Sequence, residues 1–260
     1  MTQPYERHDV VVVGAGIGGL TAATALTAAG RDTVVLEARE RVGGRVLSIP
    51  AEGGAMDLGA SWFWDNEPRI AQLAKDLGVE FFAHRLDGDT VLQTVEAVQR
   101  YPGDLADGPS HRFVNGTDGL ARGLASRHPE QAVRLNAPVT AIRPAADGLD
   151  VHTVDSVLHA KQVVLAVPPA LAVARIDFDG RLPTDLAKVA RFTPVWMGAV
   201  AKVLACYPRP FWREAGLAGS QEWEAVWEIR LAALRAGVSR VGPLHEVRLP
   251  QGPSRPGRSR

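Results

Sequence analysis

Four consecutive valines, Val10 to Val13, run directly into Gly14-Ala15-Gly16-Ile17-Gly18-Gly19. A continuous β-branched run is the mark of a strand buried on both faces. The glycine segment has the spacing GxGxxG. Residues Leu20 to Ala29 after it are nearly all small or apolar, and Gly30 stands as the helix stop. A second strand, Thr33 to Leu36, ends in Glu37. Strand, glycine turn, helix, strand and terminal acid in this order open a doubly wound α/β fold with a nucleotide at the turn. Gly14 permits the tight turn, Gly16 lets the backbone approach a pyrophosphate, and Gly19 lets the helix pack against the strands. Gly14, Ala15, Gly16, Ile17, Gly18 and Gly19 together would hold the pyrophosphate at a helix N-terminus. Glu37 would accept from the ribose hydroxyls and repel a 2′-phosphate.

The sequence then repeats the device. Glu37-Ala38-Arg39-Glu40-Arg41-Val42-Gly43-Gly44-Arg45 carries a second glycine pair framed by arginines. Such a loop can lie against the same pyrophosphate, and an arginine there offsets its charge. Ala38, Arg39, Gly44 and Arg45 join the candidates for that reason. A simple nicotinamide domain has no need of them. Met56-Asp57-Leu58 next reads as a short strand entering a turn of small residues, Gly59-Ala60-Ser61-Trp62. Such a turn lets a flat ring system approach the backbone.

Composition removes other classes. Lys and Arg number 29 and Asp and Glu 29, so no general attraction to nucleic acid or an anionic membrane is expected. Cys206 is the single cysteine, which excludes an intramolecular disulfide and a cysteine zinc cluster and suits a cytoplasmic location. The histidines show no HxxxH or HxH pairing, so no metal site is expected. Met1 to His8 is polar and lacks the pattern of a secretory signal. The apolar window Val10 to Leu26 is broken by glycines and threonines and reads as strand, turn and helix rather than a membrane span.

Three segments together, VVVVGAGIGGLTAATAL, LEARERVGGR and MDLGASWF, resemble the flavin-dependent amine oxidases, the group that contains the monoamine oxidases. Phytoene desaturases and protoporphyrinogen oxidase share much of this N-terminal pattern. The resemblance continues in His111 to Leu120, in Val133 to Ile142 and in Gln162 to Pro169, which is similar to the family's A-x-x-V-I-x-A-x-P-P. It extends to Trp196–Trp212, which resembles G-x-x-x-K-x-x-x-x-Y-x-x-x-F-W. It implies a Rossmann-like FAD-binding domain of the amine oxidase and glutathione reductase type, α/β in class, with an incomplete mixed-sheet substrate domain. FAD would be noncovalent, since Cys206 is not where some members attach it. The Val139 backbone would touch the adenine end, and Lys202 would hold a water at flavin N5. Lys202 interrupts an apolar run, where an unpaired ammonium is costly. The implied reaction moves hydride from an amine's α-carbon to the flavin. Water hydrolyses the resulting imine, and dioxygen reoxidises the flavin to give hydrogen peroxide.

Residues 5–78 and 109–176 are expected to form the FAD-binding domain, and 79–108 with 177–236 a partial substrate domain. Pro68 to Leu77 reads as an amphipathic helix stopped by Gly78, Val79 to Phe82 as a strand, and Leu120 to about Arg127 as a helix. Leu149–Thr153 and Ser156–Ala160 read as a hairpin, Gln162 to Val167 as a buried strand, and residues 85–110 as weakly patterned. Resemblance fades after Ser220. Gln221 to Ala236 reads as an amphipathic helix with Trp223 and Trp227 on one stripe, and 237–260 as a disordered tail. Gly242-Pro243-Leu244-His245-Glu246 looks like a displaced G-P-L-x-E, which suggests a member shortened by truncation or frameshift. A catalytically inactive FAD-binding module, or a fragment that binds a partner through the tryptophan stripe, is the competing expectation. A desaturase-type FAD oxidoreductase is a third.

Overall fold

The computed structural model describes residues 5–51, 54–85, 87–93, 97–103, 108–195, 202, 204 and 207–223. Strand β1 (Tyr5–Val13) lies inside a six-stranded sheet of order β10-β2-β1-β13-β12-β11. Its neighbours β2 (Thr33–Leu36) and β13 (Val157–Leu165) both run parallel to it, and β10 (Val133–Arg134) runs parallel to β2. The strands β11 (Ala141–Ala145) and β12 (Gly148–His152) continue the sheet in antiparallel register with β13. The expected hairpin is therefore present.

The valine run accounts for the centre of this sheet. Val10 and Val12 point to one side, where they pack with Leu20 and Ala23 of helix α1 (Ile17–Ala28) and with Leu124. Val11 and Val13 point to the other side and pack with Leu36, Val139, Ile142, Val151 and Leu158. None of the four valines exceeds 6% exposure, as a strand covered on both faces requires. Helix α1 ends at Ala28, and Gly30 follows in the left-handed region with φ 73°.

Smaller sheets extend from this frame. A hairpin of β3 (Ser48–Ala51) and β4 (Gly54–Asp57) leads to β5 (Phe63–Trp64) and helix α2 (Pro68–Leu77). Gly78 caps α2 in the left-handed region, at the stop that the sequence predicts. The strands β6 (Phe81–Ala83) and β9 (Ser110–Phe113) join β5 in the order β5-β9-β6. Phe63, Phe81 and Phe113 pack on the inner face with Ala74 of α2 and Leu120 of helix α3 (Asp118–Ala125). Helices α4 (Pro169–Arg175) and α5 (Thr184–Phe192) follow β13, and the short helix α6 (Phe211–Glu214) precedes β14 (Leu217–Trp223).

Three expectations change. The weakly patterned stretch contains β7 (Asp89–Gln93) and β8 (Val98–Tyr101), which pair with each other, and β7 pairs on its other side with β14. A strand from distant sequence, β14, completes their sheet, which local alternation does not reveal. Gln221 to Trp223 belong to β14 rather than to a helix, and the rest of the expected helix lies outside the described residues. The second half of β13 is less buried than an interior strand should be, with Leu165 42% exposed. The reason is visible in the ladders. The strand β1 pairs with β13 through Leu165, but β12 reaches only to Ala160. The 237–260 tail and Cys206 also lie outside the described residues.

Candidate functional site

The glycine turn closes the carboxyl ends of β1 and β2. Gly14 has φ 105° and donates its N–H to the Leu36 carbonyl at 2.8 Å. A Cβ on Gly19 would stand 1.9 Å from the Gly14 carbonyl oxygen, so glycine is obligatory for the helix to start this close to the turn. Glu37, 8% exposed, accepts the Ala15 N–H at 2.8 Å on one carboxylate oxygen and the Arg39 N–H at 3.0 Å on the other. Besides its predicted ribose role, Glu37 therefore ties β2 to the glycine turn. Each oxygen keeps a second lone pair for a further donor.

The second glycine pair docks on the first. Gly43 donates its N–H to the Ala15 carbonyl at 2.8 Å, and Gly16 and Gly43 form a parallel bridge. Gly44 has φ 59°, and a Cβ there would meet the Gly16 Cα at 3.3 Å. The arginines divide their work. Arg41 donates to the Val42 and Val46 carbonyls at 3.1 Å and to the Gly44 carbonyl at 3.2 Å, and Arg39 also reaches the Gly44 carbonyl. Both fix the loop. Arg45 is exposed and takes part in no ion pair among the described residues. Ala38 is also exposed.

Protein packing does not explain every glycine. A Cβ on Gly16 would meet only the Gly43 carbonyl oxygen, at 4.0 Å, and one on Gly18 would meet nothing within 4 Å. Gly16 is the N-cap of α1 with ordinary φ −72°, and no side chain caps the helix. The first-turn N–H groups beside Ile17 and Gly18 thus have no capping side chain, over a surface kept bare of methyl groups. That surface fits a dinucleotide pyrophosphate, which needs close backbone approach and N–H donors.

The small-residue turn continues from this loop. A Cβ on Gly59 would stand 2.1 Å from the Arg45 carbonyl oxygen, and Ala60 donates its N–H to that carbonyl at 3.3 Å. Asp57, 2% exposed, holds the turn from below: it accepts from Ser48 Oγ at 2.6 Å and from the Thr117 N–H at 2.8 Å. Sequence reading missed this anchor, since Asp57 looks like an ordinary strand-end acid. Lys202 comes from far along the chain to the same turn. Its Nζ donates to the Gly59 carbonyl at 3.0 Å and to Ser61 Oγ, and lies 5.8 Å from the centre of the Trp62 ring. Burial holds the Lys202 ammonium below the usual lysine range, the Asp57 carboxylate opposes that shift and the Arg112 guanidinium adds to it. Val139 lies at the other end. Its side chain is buried against β1 and β2, while Ala137 beside it donates to the Glu37 carbonyl at 2.8 Å. Among the described residues no group of three or more His, Cys, Asp or Glu side chains could hold a metal ion.

The sequence profile of the family described as flavin containing amine oxidoreductase matches residues 17–113 and 83–236. Putrescine oxidase of Kocuria rosea is 27% identical over 82% of this chain and 67% of its own length. Flavin-containing amine oxidase B of Canis lupus familiaris is 26% identical over 82% of this chain and 60% of its own length. The chain therefore spans about two thirds or less of these relatives. Among solved structures, putrescine oxidase bound to putrescine superposes with a TM-score of 0.71 at 22% identity, covering 85% of this chain and 70% of that one. Cyclohexylamine oxidase from Brevibacterium oxydans gives 0.72 at 20% identity, over 83% and 69%. At such identities these structures speak for the fold. The two docked glycine loops and the turn that receives Lys202 lie within or beside the stretch that the profile covers, and the chain belongs to the flavin-containing amine oxidoreductase family.

Proposed function

We propose that this chain binds FAD noncovalently and oxidises an amine. One observation carries the reading: Lys202, more than a hundred residues away in sequence, bonds to the Gly59–Trp62 turn, and that turn is continuous through Arg45 with both glycine loops. The result is a continuous backbone strip from the glycine turn to Lys202, on which a dinucleotide would lie with the lysine at its ring end. Gly14 to Gly19, Gly44 and Arg45 would hold the pyrophosphate, Glu37 the ribose and the Val139 backbone the adenine end. A bound flavin supplies a two-electron acceptor for hydride from the amine α-carbon and passes those electrons to dioxygen, yielding hydrogen peroxide. Gly59, Ala60, Ser61 and Trp62 would lie along the ring. Lys202, fixed by Gly59 and Ser61, would position a water there. Residues 5–78 and 109–176 would form the cofactor unit, and 79–108 with 177–236 part of the substrate unit.

A second reading is an FAD-binding module without turnover. Purified protein showing a flavin spectrum that an amine bleaches under anaerobic conditions supports the first reading. Bound flavin with neither bleaching nor peroxide supports the second. Lys202→Met should keep the flavin spectrum and slow anaerobic reduction by about 10–100-fold, the worth of a hydrogen bond from a charged group. Unchanged reduction would remove Lys202 from the mechanism.

A further inference from the structure

We infer that Arg112 is a substrate-binding residue that selects amines carrying a carboxylate, and that it works on the outer face of the β5-β9-β6 sheet. The inference rests on the amine-oxidising reading above and adds the substrate class. Strand register places Arg112. Phe63 pairs with His111 and their rings stack with centroids 5.1 Å apart, so both lie on the inner face. Phe81 pairs with Phe113 on that same face. Arg112 therefore takes the opposite face, where it pairs with Phe82, which is 47% exposed. One residue beyond the β5 ladder, position 62 comes across from position 112. Trp62 and Trp64 share this outer face and meet edge to face at 6.4 Å. Lys202 Nζ sits over Trp62.

Two cations and exposed aromatic rings thus converge at the ring end of the proposed flavin site. Lys202 already has acceptors in Gly59 and Ser61. Arg112 is half-buried and takes part in no ion pair among the described residues. A guanidinium without a carboxylate partner is open to one, and a planar anion satisfies it bidentately. Trp62, Trp64 and Phe82 supply apolar walls beside it. A second ammonium, as in a diamine, would meet repulsion here.

The test is titration of purified protein with benzoate and with neutral benzamide, read by flavin absorbance and by tryptophan fluorescence. Benzoate should bind at least tenfold more tightly than benzamide and weaken with added salt. Arg112→Gln should lose at least tenfold in benzoate affinity and Arg112→Lys less than that, since it keeps the charge but not the bidentate fork, while both variants keep the parent's melting temperature. Arg112→Gln should also bind putrescine-like diamines more tightly than the parent does. Equal binding of benzoate and benzamide, or an Arg112→Gln variant with unchanged benzoate affinity, overturns the inference. If the protein holds no flavin yet benzoate quenches tryptophan fluorescence through Arg112, the anion site stands and the flavin reading fails.

Discussion

A methyl group added at Gly19 would collide with the Gly14 carbonyl at 1.9 Å and sit 3.1 Å from the Ala166 Cβ. Neither neighbour is the free end of a flexible side chain. Gly19→Ala should therefore cost about 1–3 kcal/mol of stability, read as a lower urea midpoint with an unchanged slope. Gly18→Ala meets nothing within 4 Å and should leave the midpoint within about 0.5 kcal/mol of the parent. These two glycines look alike in GxGxxG, yet only one is demanded by the fold. At this scale the sequence was most legible where backbone geometry dictates the residue type. Glu37, Gly14 and the Gly43-Gly44 pair all stand where the motif implies. Asp57 and Arg112 were not legible, because each acts through partners more than fifty residues away in sequence or across a strand.

Helix α1 meets the turn that follows α3 through a polar contact that the motif does not mention. Thr24 Oγ donates to the Leu20 carbonyl at 2.8 Å, which leaves it to accept from His128 Nε2 at 3.1 Å. Burial pushes the His128 imidazole below the usual histidine range. The folded chain therefore takes up a proton there less readily than the unfolded chain. The sign follows directly: this contribution is fully present above the unfolded value of about 6.5 and is lost as pH falls below that value and through the lower folded one. Urea unfolding from pH 7.5 to 5.5 should show a steeper loss of stability in the parent than in His128→Gln. Equal slopes would show that the imidazole does not contribute. Element by element, α1, α2 and the β12–β13 hairpin were readable because capping glycines and apolar periodicity are local signals. The strands β7 and β8 were not, since β14, the strand that pairs with β7 and completes their sheet, lies more than a hundred residues downstream.

Across the whole molecule, the sheet has an uncovered margin. From Gln162 to Leu165 β13 has β1 on one side and, among the described residues, no strand on the other. Beside it lies a cavity of about 230 Å³ lined by Ile142, Leu149, Val163, Leu165, Phe178 and Leu182. Leu186, Val189 and Phe192 on α5 are exposed as well. An apolar strand edge of this kind promotes association between copies. Light scattering should show molecular mass rising with protein concentration, and Leu165→Lys should lower that rise without reducing the melting temperature. Elsewhere the architecture is already set. The bonds from Glu37 to Ala15 and from Gly43 to Ala15, together with the Gly16–Gly43 bridge, are all made by the protein alone. The floor of the nucleotide strip therefore needs no ordering step when its ligand arrives. Uptake of free FAD should then be a simple bimolecular event, with an observed rate that climbs linearly with FAD concentration, and the affinity gained at the pyrophosphate is not spent on freezing the loop.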